Sequence, residues 1–422
     1  MKTIFRYTNI ALLLAAIVGV GAIASSAQDN CGDAEGQLAL SDKFREEFPK
    51  KDLPGRKSAI DIGKQFLEKY GACESAKDMA DYLKANLPTM EKNYKALVDS
   101  SAKEARYQRF NKSVEAKNWD EVYASGKEIL AQEPDQLDLM ITLGSIGYDE
   151  LFAGRTDFKH NEETLRYARQ AIAAIEAGKT SPKFGLYQWS FKDKQTALAE
   201  LNLTIGYLTQ VALKNKREAA PYLYKVTQSS TPAAKNPIPY ELIGRFYFDE
   251  LNALVEKIKA AEASQNSNDT PEVAQKKVDD IKALVAMANG TAERAMDAFS
   301  RAFTNADPKA AEYKKQMKQN VESAYKLRFG KVEGVDTWIA GVAAKPFPNP
   351  TSPITPVSDP ETSTGAVTTV TAPVVTAPAK PAPVKPAPAK AAPTKTAAAT
   401  NGKPATAAKL PAGKATAKKK GV

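Results

Sequence analysis

From about Leu40 to Ala344 the apolar residues recur three and four positions apart, and this spacing confines the chain to helices. Ile60, Gly63, Phe66, Leu67 and Tyr70 share one face of a first amphipathic stretch. After Ser75, Met79, Tyr82, Leu83 and Leu87 share another. Pro88 is expected at the start of the next helix, because proline is tolerated in a first turn, and Met90, Tyr94 and Leu97 continue that face. No Asn-Gly or Asp-Gly pair stands between alternating apolar runs, so no β-hairpin is expected. The expected fold class is all-α.

A set of features repeats from about residue 105. Trp119-Asp120-Glu121-Val122 opens a helix that runs to Leu130 and stops at Pro134-Asp135. Leu143-Gly144-Ser145-Ile146-Gly147-Tyr148 opens a second, and Thr164, Ala168, Ala171 and Ile172 line a third. Ile205-Gly206-Tyr207-Leu208 then leads to a helix around Glu218–Val226, and Ile243-Gly244-Arg245-Phe246-Tyr247 starts a further unit. A late helix, Ala295 to Phe303, ends at Asp307-Pro308.

The bulky–Gly pairs Leu143-Gly144, Ile205-Gly206 and Ile243-Gly244 resemble the first-helix signature of the tetratricopeptide repeat family. Ala171, Val226 and Ala302 match the small or apolar position of its second helix, and Pro134 its terminating proline. A glycine at that place lets the partner helix of the hairpin come close. The family period is about 34 residues. Here the Gly pairs lie 62 and 38 residues apart, with insertions around 154–163, 179–194 and 264–270. The resemblance implies a degenerate helical-hairpin solenoid over residues 105–345, preceded by a helical region over 28–104. The first helices of such a solenoid line a concave surface. The positions after each Gly, and those three to four further on, are then the groove candidates: Ser145, Tyr148, Tyr207, Gln210, Arg245 and Phe248. Tyr, Phe and Arg suit a binding surface, although Tyr148 and Phe248 suit packing between repeats equally well.

The composition changes at Pro346. Residues 346–422 hold 15 of the 26 prolines, and Phe347 is their sole aromatic. Such a segment buries too little apolar surface to offset its ordering entropy, so a disordered, partly polyproline-II tail is expected. It carries 10 Lys and 2 acidic residues, while residues 28–345 carry 47 basic and 47 acidic residues. The formal charge of +10 therefore belongs to the tail and the N-terminus. A basic, flexible arm could bind an anionic envelope polymer or a nucleic acid, and this is the alternative to protein binding.

Lys2 and Arg6, the apolar run Ile10–Ala24 and the small residues Ser25-Ser26-Ala27 read as a signal peptide over 1–27. An uncleaved N-terminal membrane anchor is the alternative. Export makes a disulfide between the two cysteines, Cys31 and Cys73, the expected state, against two free thiols.

One His and two Cys leave little for enzyme chemistry. His160 lies in a charged insertion and reads as a solvated residue. Ala173-x-x-x-x-Gly178-Lys179-Thr180 lacks the first glycine of a phosphate loop and follows a helix, so no nucleotide site is expected. Glu162-Glu163 and Asp279-Asp280 read as solvated faces, since adjacent helical residues do not face each other. Neither a catalytic residue, a metal nor a cofactor is expected. The sequence reads as a non-enzymatic protein–protein interaction scaffold of the periplasm or cell envelope, with an unidentified protein or peptide in its groove.

Overall fold

A computed structural model describes residues 29–359, and among them no strand forms. Thirteen α-helices follow one another: α1 (Ala34–Glu47), α2 (Leu53–Tyr70), α3 (Lys77–Glu115), α4 (Trp119–Gln132), α5 (Leu137–Leu143), α6 (Ile146–Phe152), α7 (Asn161–Glu176), α8 (Lys194–Val211), α9 (Lys216–Thr227), α10 (Pro237–Ala263), α11 (Pro271–Asn305), α12 (Ala311–Phe329) and α13 (Val335–Gly341). The fold is all-α. The expectations for residues 1–28 and 360–422, including the signal peptide and the Lys-rich arm, lie outside the described residues.

The helices form two compact units. The first takes the described residues 29–147 and again Phe158 to Ile205. In it α1, α2 and α3 pack in sequence around Phe44, Ile60, Phe66, Tyr70, Leu83 and Leu87, all nearly inaccessible to solvent. Burying side chains of this size stabilises the fold by about 1.5–3 kcal/mol each. Asp33 starts α1: its carboxylate accepts from the Gly36 amide at 2.8 Å and from the Tyr70 hydroxyl at 2.7 Å. These bonds, the Tyr70 one foremost, hold its pKa below the ordinary 3.8. Cys31 and Cys73 are joined in a disulfide that closes a loop over both helices.

Helix α3 continues through Pro88, where a boundary was expected. Proline costs the bond to the carbonyl four residues earlier. Lys84 and Pro88 are both exposed, so the lost bond falls on the solvent side of the helix, while Leu83 and Leu87 on the other face keep it in the core. The expected helix from Leu143 is instead two short helices, α5 and α6, broken at Gly144-Ser145. The second core of this unit collects Phe110, Val122, Tyr123, Ile129, Leu143, Ile146, Tyr167 and Trp189.

The long 177–193 connection folds back on α5. Asp138 accepts from the Gly185 amide at 2.8 Å, and Thr142 Oγ1 from the Leu186 amide at 3.0 Å. Phe184 and Tyr187 hold positive φ angles of 42° and 56° to make the turn. The Trp189 ring, buried against Trp119, secures it.

The second unit takes residues 148–157 and 206–359 of the described chain. Here α9, α10, α11 and α12 pack in order, with α13 against α11. Good caps mark the helix starts: Asn215 accepts from the Glu218 amide, Asn236 from Ile238 and Thr270 from Val273. Met317, Val321, Ala295, Ala298, Phe299 and Ala302 form the buried interior beside Ile243 and Tyr247.

Candidate functional site

Of the six groove candidates, three are buried packing side chains and three are half-buried. In the first unit Ser145 is buried and its hydroxyl donates to the Ile141 carbonyl at 2.8 Å, plugging the helix break. In the second unit Gln210 is buried and its amide donates to the Leu242 carbonyl at 2.9 Å. Phe248 is buried edge-on to Phe299, with centroids 6.3 Å apart. These three side chains are therefore packing elements and do not line an open face. Tyr148 stacks on Phe152 at 5.3 Å, and Tyr207 meets Tyr148 edge-on at 5.1 Å; both are half-buried. Arg245 is half-buried and pairs with the buried Glu241 at 2.6 Å, one turn earlier on the same helix. Its fork is occupied within its own helix.

His160 is not the solvated residue its neighbours suggest. Its ring lies flat on Tyr123, 4.5 Å between centroids, and its nitrogens face Glu163 at 2.5 Å and Asp120 at 2.8 Å. The stack fixes the start of α7. Near the phosphate-loop candidate, Gly178 closes α7 with φ 94°, and the Lys179 amide donates to the Ala174 carbonyl at 3.0 Å. That is a helix end, and no glycine cradle follows a strand there. Among the described residues no three His, Cys, Asp or Glu side chains are grouped to hold a metal ion. No helix of the described residues is long and apolar enough to cross a membrane.

The second unit does hold a bound peptide: its own residues 345–359. From Pro346 onward they were expected to begin the disordered tail, yet they lie as a strap along α11. The receiving face is Ala286, Gly290, Arg294, Asp297 and Arg301, spaced three and four apart and therefore on one side of the helix. The strap runs antiparallel to α11. Arg301 donates to the carbonyls of Val342 at 2.8 Å and Lys345 at 2.6 Å. Arg294 donates to Asn349 O at 3.1 Å, Ser352 O at 3.1 Å, Ser352 Oγ at 3.2 Å and Pro353 O at 2.6 Å. Asn289 donates to Val357 O at 3.0 Å, and the Val357 amide returns a bond to Ala286 O at 2.9 Å. Asp359 ends the strap as a bidentate partner of the buried Arg328, at 2.7 and 3.0 Å. The stretch of α11 from Ala286 to Arg301 is about 22 Å long.

One side chain of the strap is buried. Phe347 sits between Tyr240, 5.0 Å away edge-on, and Tyr224 at 6.1 Å, with the Arg301 guanidinium 5.3 Å from its ring centre. Asp297 holds Arg301 in place at 2.5 Å. Burial pushes the Asp297 carboxyl above the usual range, and the Arg301 charge opposes that rise. The site was hidden from sequence reasoning by composition. Its legible traces are the seven-residue spacing of Arg294 and Arg301 and the lone aromatic in Pro346-Phe347-Pro348.

No known protein family, curated protein or solved structure matches the chain.

Proposed function

We propose that the protein is an exported, non-enzymatic scaffold that binds other proteins in the periplasm or cell envelope through degenerate tetratricopeptide-like hairpins. The observation that carries this reading is the strap: a helical face of the second unit already grips an irregular segment of chain by its carbonyls and one aromatic anchor. Helical-repeat proteins use their extended helical surfaces for binding of this kind.

The three Gly pairs support the hairpin part. A Cβ on Gly144 would lie 2.7 Å from the Ala168 backbone in α7. One on Gly206 would lie 2.5 Å from Leu223 in α9, and one on Gly244 would lie 2.7 Å from the Phe299 ring in α11. Each glycine thus sits where a helix of its own unit approaches closely, which is the role the repeat signature requires. The export part rests on the charged, apolar and small-residue order of residues 2–27.

Two measurements test the proposal. N-terminal sequencing of the chain recovered from an envelope fraction should begin at Gln28; a start at Met1 in a cytosolic fraction would refute export. Cross-linking in intact cells should identify a partner that then binds the purified full chain, and weakens at least tenfold with Tyr240→Ala plus Arg294→Ala. A purified chain that binds none of its cross-linked neighbours would refute the scaffold reading.

A further inference from the structure

We infer that the α11 face under the strap is a recognition site for proline-rich peptides with an aromatic anchor, and that residues 346–359 are its resident ligand, displaced when a partner's segment of that kind binds. This deepens the protein-binding reading and rests on it.

The chemistry of the two surfaces is complementary in a particular way. Five prolines, at 346, 348, 350, 353 and 356, leave the strap short of N–H donors and rich in carbonyl acceptors. The face beneath supplies donors: the Arg294 fork, the Arg301 fork and the Asn289 amide. Arg294 gathers four oxygens from the turn Asn349–Pro353, which Ser352 closes by donating from its amide and its hydroxyl to Asn349 O. The same guanidinium is braced from below by the Tyr247 hydroxyl at 3.2 Å. An acceptor-rich, donor-poor peptide is the ligand such a face fits, because the face offers mainly donors and takes a strap amide only at the Ala286 carbonyl.

Specificity has two readable sources. The Tyr224–Tyr240–Arg301 pocket takes a planar apolar side chain between prolines, as it takes Phe347. Gly290 lets the Thr355 carbonyl pass where a Cβ would be only 2.2 Å from its oxygen. An aromatic residue followed after a short interval by a proline-bounded turn is the motif these features select.

The strap is also built to leave. Pro346, Asn349, Thr351, Ser352, Pro353, Thr355 and Pro356 are exposed, and Phe347 is the one buried side chain among residues 346–359. A ligand tethered in this way competes at an effective concentration near the millimolar range, so a free peptide must work against it.

The test uses the full chain and a fluorescently labelled synthetic peptide of residues 345–359. Wild type should show little binding, because its own strap fills the site. A chain carrying Phe347→Ala and Asp359→Ala, both in the strap and neither in the receiving face, should bind the peptide at least tenfold more tightly. Adding Arg294→Ala to that chain, or using a peptide with Phe347→Ala, should remove the gain. Helix content and melting of each variant establish that it is folded. A folded strap variant that fails to bind the peptide overturns the inference, as does binding that ignores Arg294. Wild type that sediments as a strap-exchanged dimer assigns the face to a second copy and overturns it too. Any of these failures leaves the scaffold reading standing if the cross-linked partner still binds, so the two are separable.

Discussion

Replacing Gly290 with alanine puts a methyl carbon 2.2 Å from the Thr355 carbonyl oxygen, where ordinary contact begins near 3.4 Å. The neighbouring contacts are also to the strap, with Ile354 Cγ2 at 3.1 Å and the Thr355 carbonyl carbon at 3.2 Å. The strap must therefore move outward by about 1 Å, which lengthens its two nearest hydrogen bonds beyond useful range. Those are Val357 N to Ala286 O at 2.9 Å and Asn289 Nδ2 to Val357 O at 3.0 Å. At about 1 kcal/mol each, the hold on residues 354–357 falls by about 2 kcal/mol. Meanwhile α11 gains up to about 1 kcal/mol from exchanging glycine for the best helix former. The two effects are separable by amide exchange. Global melting should move by only a few degrees. The Val357 amide should exchange about 30-fold faster, the equivalent of 2 kcal/mol. A variant whose Val357 amide stays as protected as in wild type would refute the argument, because the strap would then not depend on the bare backbone at Gly290.

Three further outcomes are expected. Replacing Cys31 and Cys73 by Ser should lower stability by up to about 4 kcal/mol, from the entropy of a loop spanning 42 positions, and thermal melts with and without reductant should show the same gap in wild type only. Tyr207→Ala should lower the melting temperature, by about 2–4 kcal/mol of stability, because the ring packs on Tyr148 and Phe152; a variant that melts like wild type would return Tyr207 to the solvent-facing role its place after Gly206 suggests. Because the folded pKa of Asp33 is depressed, its contribution is full above the unfolded value of 3.8 and is lost as pH falls below it, so Asp33→Asn should flatten the acid limb of the stability curve below about pH 4, and an unchanged limb would count against the Tyr70 bond.

Helices were legible because their signal is local. Ile60, Phe66, Leu83, Ile172 and Ile243 lie on faces that the three-and-four spacing marks, and all are buried. The Gly pairs were legible as close approaches for the same reason, since a missing side chain at a fixed phase of a helix face has few other uses. Where two signals compete, spacing is a poor guide. Pro88 reads as a boundary from its own chemistry, yet Leu83 and Leu87 are buried firmly enough to carry the helix past it. Arg245 reads as a groove residue from its register, but Glu241 stands one turn away and takes its fork.

The strap was illegible for a deeper reason. Composition measures what a segment can bury by itself, and by that measure residues 346–359 resemble the rest of the tail. What fixes them is supplied by α11, more than forty residues earlier, through donors to their carbonyls. Carbonyls are identical in every residue, so the ligand side of that recognition leaves almost no mark in the sequence. Phe347, Ser352 and Asp359 are the exceptions, where a side chain rather than the backbone is read.

The path of the chain through its two units has a practical consequence. Unit one is left at Gly147, re-entered at Phe158 and left again at Ile205, so neither unit is a single run of sequence. No one cleavage releases an intact half. A gene fragment ending near 147 would lack the residues 158–205 that complete its core, among them Tyr167 and Trp189. Dissection of the body calls for paired fragments expressed together, or for a circularly permuted gene that joins the pieces of one unit, rather than for successive deletions from either end.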